Sequence, residues 1–203
     1  MHTVGNTNLT RRHFLSVVVG GCAATAWPIR TWSEVEPIAT GIQLYTVGAD
    51  LTRDPAATLK QIAKIGYTEV ETAGFAKLSA SQFRALLNDA GLHAPSAHLM
   101  FGMADTNKLL DDAKTIGADY VVSSVLLPHP PEPGNGAQGF LKTLNALTED
   151  DFKQIAGKAN EIGRQAKAAG LQYAYHNHNF EFRDLGGGVK GTTSCCVKPT
   201  LPS

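Results

Sequence analysis

The chain is poor in cysteine and has no excess of either charge. Its 203 residues include three cysteines, Cys22, Cys195 and Cys196. The last two are adjacent, where a disulfide is strained. No C-x-x-C occurs, so no disulfide framework is in view. Basic and acidic residues number 18 each, for a formal net charge of zero. No basic field is available to hold a phosphate backbone, which excludes nucleic acid as a partner. A stable membrane span is lacking too. The apolar run Val17 to Trp27 falls short of the ~20 residues a helical span requires, and Gly20-Gly21 interrupts it. Nor is there a glycine-rich phosphate loop. Tyr45-Thr46-Val47-Gly48 follows the first strand pattern without the dinucleotide fingerprint, which weighs against a nicotinamide-binding fold.

What is present is ordinary globular composition, 43% hydrophobic and 18% charged, and one domain is the natural count. Residues 1–30 stand apart. Thr10-Arg11-Arg12-His13-Phe14-Leu15 is a twin-arginine pattern, an apolar small-residue run follows, and Ala24-Thr25-Ala26 offers a cleavage site. These features predict export to the periplasm. Cys22 after Val19-Gly20-Gly21 gives a lipoprotein anchor as a variant.

From about residue 38 the chain alternates strand and helix patterns. Strands are predicted at Gly41–Tyr45, Glu69–Thr72, His93–Leu99, Tyr120–Val125 and Leu171–Asn177. Helices are predicted between them. Asp54-Pro55 caps the first, which Gly66 closes; Ser79 caps the second, which Gly91 closes. Asp105–Ile116 is the third, ended by Gly117, and Asp150–Ala169 the fourth, ended by Gly170. The Pro/Gly-rich stretch Pro128–Gly139 reads as a long loop of the functional kind. A strand–helix unit at intervals of about 30 residues means parallel strands with crossover helices. Both a doubly wound sheet and a (β/α)8 barrel satisfy that pattern.

In parallel α/β folds the working groups stand at the carboxyl ends of the strands. Gln43 and Tyr45 end the first strand, and the second carries Glu69 and Glu71. The third ends in Ser96-Ala97-His98, and the fifth in His176-Asn177-His178, followed by Glu181. If Tyr173 and Tyr175 pack against the helices, alternation turns Ala174, His176 and His178 inward. Two imidazoles with His98 and Glu71 nearby then suit a divalent ion. Such an ion polarises a sugar carbonyl and acidifies the neighbouring C–H. The expected roles are therefore Glu71 and His98 as catalytic groups, His176 as metal ligand, and Gln43, His178 and Glu181 as substrate-binding groups, with His178 a second choice for the metal. The plainer readings are a hydrogen-bonded core histidine for His98, a buried ion-pair partner for Glu71 and a solvated loop carboxylate for Glu181. Inward polar repetition such as His176 and His178 is costly unless used.

Three segments carry a family resemblance: Gly41-Ile42-Gln43-Leu44-Tyr45-Thr46-Val47, Ile65-Gly66-Tyr67-Thr68-Glu69-Val70-Glu71 and Tyr175-His176-Asn177-His178-Asn179-Phe180-Glu181-Phe182. Together they resemble the sugar phosphate isomerase/epimerase family, the xylose isomerase-like TIM barrels, from about Gly41 to Gly191. The resemblance implies a (β/α)8 barrel, a divalent metal (Mn, Zn, Mg or Co) at the strand ends and proton transfer next to the carbonyl of a small sugar. A keto-sugar or keto-inositol dehydratase uses the same α-proton chemistry. An inactive remnant or a sugar-binding module is the non-enzymatic alternative. A DNA-repair endonuclease of this fold class fits neither the export signal nor the zero net charge. Many relatives place a metal-binding Glu where this chain has His176. The resemblance puts the remaining ligands, an Asp, a His and a Glu, on strands six to eight.

Those strands are not in this sequence. A barrel of this type takes about 250 residues, and this pattern ends after about five strands. The tail Thr192–Ser203 shows no helical period where a crossover helix is due. A one-base deletion near Gly191 is the leading explanation, because a shifted reading frame allows a capped amphipathic helix there. The sequence reading is thus an incomplete barrel, impaired by truncation, with open sheet edges that invite self-association.

Overall fold

The computed structural model describes residues 39–129 and 136–195. The twin-arginine motif, Cys22, Cys196 and the end of the tail lie outside the described residues, as does part of the Pro/Gly-rich stretch. Strand β1 is Gly41–Gln43. A 3-10 turn, Leu44–Val47, leads into α1, Gly48–Arg53, and α2, Pro55–Ile65. Next come β2 (Glu69–Ala73), α3 (Ala80–Ala90), β3 (His93–His98), α4 (Thr106–Ile116) and β4 (Tyr120–Ser123). Then follow α5 (Gly136–Ala146), α6 (Glu149–Ala168) and β5 (Gln172–Tyr175). A second 3-10 turn, Asn179–Phe182, and the short α7, Gly191–Cys195, complete the described chain.

Helix boundaries follow local chemistry. The Asp54 carboxylate accepts from the Ala57 amide at 3.0 Å, with Pro55 in the first turn of α2. Ser79 and Gln82 exchange hydrogen bonds at the start of α3. Thr148 and Asp151 do the same for α6, which therefore begins at Glu149 rather than Asp150. Each such cap satisfies amides that the first turn leaves without partners. Gly66, at φ 114°, ends α2 in a conformation that a side chain disfavours.

The five strands form one parallel sheet in the order β1-β2-β3-β4-β5. The register puts Gln43, Glu71 and Ser96 in one row and Ala73, His98, Val122 and Ala174 in the next. The opposite face carries Val70, Thr72, Ala97, Val121 and Ser123, all buried. The apolar core thus lies between the sheet and its helices, through side chains such as Leu59, Phe83, Ile116 and Phe152. The other face is concave, polar and only partly covered.

Several elements differ from the sequence expectation. Strand β1 stops at Gln43, and Tyr45 sits in the 3-10 turn, 79% exposed. β4 and β5 end at Ser123 and Tyr175, two residues short of their expected ends, where the ladder gives way to loop. Helix α1 occupies residues that had no assignment, and α5 begins inside the stretch expected as loop. α7 covers the first part of the tail, held by Thr193, whose hydroxyl bonds the Lys190 carbonyl at 2.6 Å. Among the described residues no helix is long and apolar enough to cross a membrane.

Gly191 opens α7 against the fully buried ring of Phe152, which in turn stacks on Phe180. A Cβ there would collide with that ring. Gly191→Ala should therefore cost about 1–3 kcal/mol by overpacking. Gly157, within α6, has open space around a Cβ, so Gly157→Ala should add about 0.5–1 kcal/mol. Urea denaturation of the two variants checks both signs.

Candidate metal centre

Three ligand-type side chains converge on the concave face. Glu71 of β2, His98 of β3 and His176, just beyond β5, each offer one ligand atom within 4.8 Å of the others. His176 keeps the strand register by donating its amide to the Ser123 carbonyl at 2.8 Å. Its ring lies 5.3 Å, centre to centre, from that of His98.

Glu71 is the hub. Its Oε1 accepts from Gln43 Nε2 at 2.6 Å and its Oε2 from Ser96 Oγ at 2.6 Å. His98 Nδ1 lies 3.5 Å from the same Oε1 and 3.1 Å from Gln43 Nε2. An amide NH2 only donates, so the 3.1 Å contact is a Gln43-to-Nδ1 hydrogen bond when Nδ1 carries no proton. If Nδ1 is protonated, Glu71 becomes its acceptor. The carboxyl group is held down to about 2, chiefly by the His98 imidazole against the opposing effect of burial, with help from Ser96 and Gln43. A carboxylate has about four lone-pair sites. With one donor on each oxygen, Glu71 keeps capacity for a cation.

The donor set fits a divalent metal. Two imidazoles and an ionised carboxylate are hard-to-borderline ligands of the zinc or manganese kind, and Glu71 needs no deprotonation to serve. Glu71, expected as a catalytic group, is thus anchored by hydrogen bonds, one of them from Gln43, expected to bind substrate.

Tyr173 and Tyr175 do turn toward the helices. Tyr173 approaches Gly163 of α6, and its hydroxyl lies 2.6 Å from Ser123 Oγ. Tyr175 lines a cavity of about 230 Å³ with Ile155, Ala156 and Ala159 of α6. His176 therefore faces the concave side. His178 does not join the three-residue group. Its ring sits 5.0 Å from that of His176 and stacks on Phe180 at 6.0 Å. Glu181, expected to hold substrate hydroxyls, is only 1% exposed. Its oxygens accept from the Tyr175 hydroxyl at 2.9 Å and the His178 amide at 2.6 Å. Burial and these two bonds account for its carboxylate within the fold. Ser96 was given no role of its own beforehand. The signal for it was its position two residues before His98, on the same face of the strand.

No protein-family model matches this chain, and no curated protein matches it. Among solved structures it superimposes on a sugar phosphate isomerase/epimerase from Parabacteroides distasonis. The TM-score is 0.59 and the identity 23%, over 77% of this chain and 59% of that one. The fold is that TIM barrel, over five β/α units. Two weaker likenesses accompany it. A xylose isomerase-like TIM barrel protein from Mycobacterium smegmatis, in complex with magnesium, gives a TM-score of 0.40 at 20% identity, over 61% of this chain and 46% of that one. An IolI protein with a bound zinc atom gives 0.44 at 14%, over 68% and 50%. The chain spans less than two thirds of the length of each.

A carboxyl group held below its unfolded pKa stabilises the fold above the unfolded value, and that contribution disappears as pH falls through the folded value. For Glu71 the window runs from 4.5 down to about 2. In acid titration of the metal-free chain, followed by circular dichroism, Glu71→Gln should flatten the stability loss across that window. An unchanged profile would show that the carboxylate network contributes nothing there.

Proposed function

We propose that this protein is a sugar (phosphate) isomerase/epimerase-type protein, with a divalent metal centre for proton transfer next to a sugar carbonyl. The observation that carries the reading is the convergence of Glu71, within β2, with His98 at the carboxyl end of β3 and His176 just past that of β5. A divalent ion held there would polarise a carbonyl and acidify the adjacent C–H. Glu71, already ionised, would hold it together with His176 and His98. Gln43 and Ser96 keep the Glu71 carboxylate oriented through hydrogen bonds from the neighbouring strands. A small sugar, or a sugar derivative such as a keto-inositol, fits the polar, partly open concave face. In the reading by resemblance, strands six to eight hold the remaining ligands, so the residues described form one wall of the centre.

Zinc titration of the full chain, monitored by calorimetry, should show one site. Removing a ligand should weaken it by more than the about tenfold typical of losing an outer partner, so His176→Ala and Glu71→Ala both test it. Incorporation of solvent deuterium next to the carbonyl of a ketose would then show the proton transfer. Metal binding with no incorporation would assign a sugar-binding module instead. Loss of water from a keto-sugar would assign a dehydratase.

The sheet ends on β1 and β5, so each outer strand leaves one edge of its backbone without a strand partner among the described residues. Such edges template pairing with other chains. Self-association through them predicts a weight-average mass that rises with concentration in sedimentation equilibrium. A monomer at every concentration would remove this part of the proposal.

A further inference from the structure

Glu181 is a buried acidic group that stands outside the three converging ligand-type side chains. It lies 1% exposed, just past the strand that presents His176. Its two oxygens reach in different directions along the chain. Oε1 accepts from the hydroxyl of Tyr175, the last residue of β5, and Oε2 accepts from the amide of His178. The carboxylate thus closes a short ring around the corner His176-Asn177. One side of that corner is pinned already, because the His176 amide donates to the Ser123 carbonyl at 2.8 Å. The far side is pinned by Phe180, which is 7% exposed and stacks on Phe152.

We infer that Glu181 is the positioning residue of this centre, fixing the turn that brings His176 to Glu71 and His98. The inference rests on the proposed metal centre for its function, but its structural content stands on the metal-free chain. Strand β5 ends at Tyr175, so no further ladder directs the chain after His176. A carboxylate accepting charge-assisted bonds from both ends of the corner supplies that direction. A partner that holds a ligand's geometry without touching the ion is worth about 10- to 100-fold in metal affinity where it has been tested.

The choice of variants separates geometry from charge. In Glu181→Gln the amide oxygen accepts from the His178 amide, and the NH2 donates to the Tyr175 oxygen, whose hydroxyl rotates to suit. Glu181→Ala removes both bonds and enlarges the adjoining cavity. Tyr175→Phe removes one bond only and serves if the alanine variant does not fold. Two readouts are needed. The first is the nuclear Overhauser effect between the His98 and His176 ring protons in the metal-free full chain. The second is zinc affinity by competition with a chelating dye, with the visible spectrum of the cobalt-substituted protein as signature.

The expected result is a clear His98–His176 contact in wild type and in Glu181→Gln. In Glu181→Ala it is lost or much weakened, with about tenfold weaker zinc binding and an altered cobalt spectrum. A folded Glu181→Ala, or Tyr175→Phe in its place, that keeps the ring contact and the wild-type zinc affinity overturns the inference. A wild type that shows the ring contact but binds no zinc, or binds it as well after His176→Ala, overturns the metal centre and leaves the positioning role to be judged by the ring contact alone.

Discussion

One ionised carboxylate on the concave face sets the arrangement around it. Glu71 receives the Gln43 amide from one side and the Ser96 hydroxyl from the other, so a single side chain links the faces of β1, β2 and β3. A charge on a sheet face is tolerable only where donors meet it, and here they come from neighbouring strands in the same register row. Any shift of β1 or β3 by one residue would turn its donor to the helix side and strand the charge. The same group therefore specifies strand register and assembles the ligands. The low pKa is the electrostatic record of that arrangement.

The fold was legible wherever local chemistry punctuates the chain. Asp54-Pro55, Ser79 and Asp105 marked helix starts, and Gly66, Gly91 and Gly117 marked helix ends; the structure has helices at those places. Helix α1 went unseen because Gly48–Arg53 is short and carries one buried apolar residue, Leu51, too few to show a period. Helix α5 went unseen because it begins inside a Pro/Gly-rich stretch and contains Gly136 and Gly139. The ends of β4 and β5 were overestimated: the ladders stop at Ser123 and Tyr175, and among the described residues only the His176 amide still bonds back, to Ser123.

The site was legible in its residue types and in the facing of His176, but not in its hydrogen bonds or burial. Alternation along β5, read with Tyr173 and Tyr175 as helix-facing, placed His176 on the concave side. His178, beyond the strand's end but still in extended backbone, lies with its ring 5.0 Å from that of His176, outside the group of three. Burial separates Glu71 from Glu181, and no pattern in one dimension reports it. One carboxylate is partly exposed in the middle of β2, among donors from other strands. The other is sealed beneath its own turn.

The spacing of the three converging groups has a consequence for how the chain holds together. Glu71 and His98 come from adjacent strands, but His176 reaches them from the far side of β4, whose Val122 stands in the row between. A cation shared by all three would join the second strand to the fifth, over a stretch of chain that includes four helices between them. Such a link is a reversible cross-link closing a long loop, and by mass action it favours the folded chain in proportion to how fully it is occupied. Metal supply would then set the lifetime of this sheet as well as the state of its centre, and a chain starved of the ion would open first at β5.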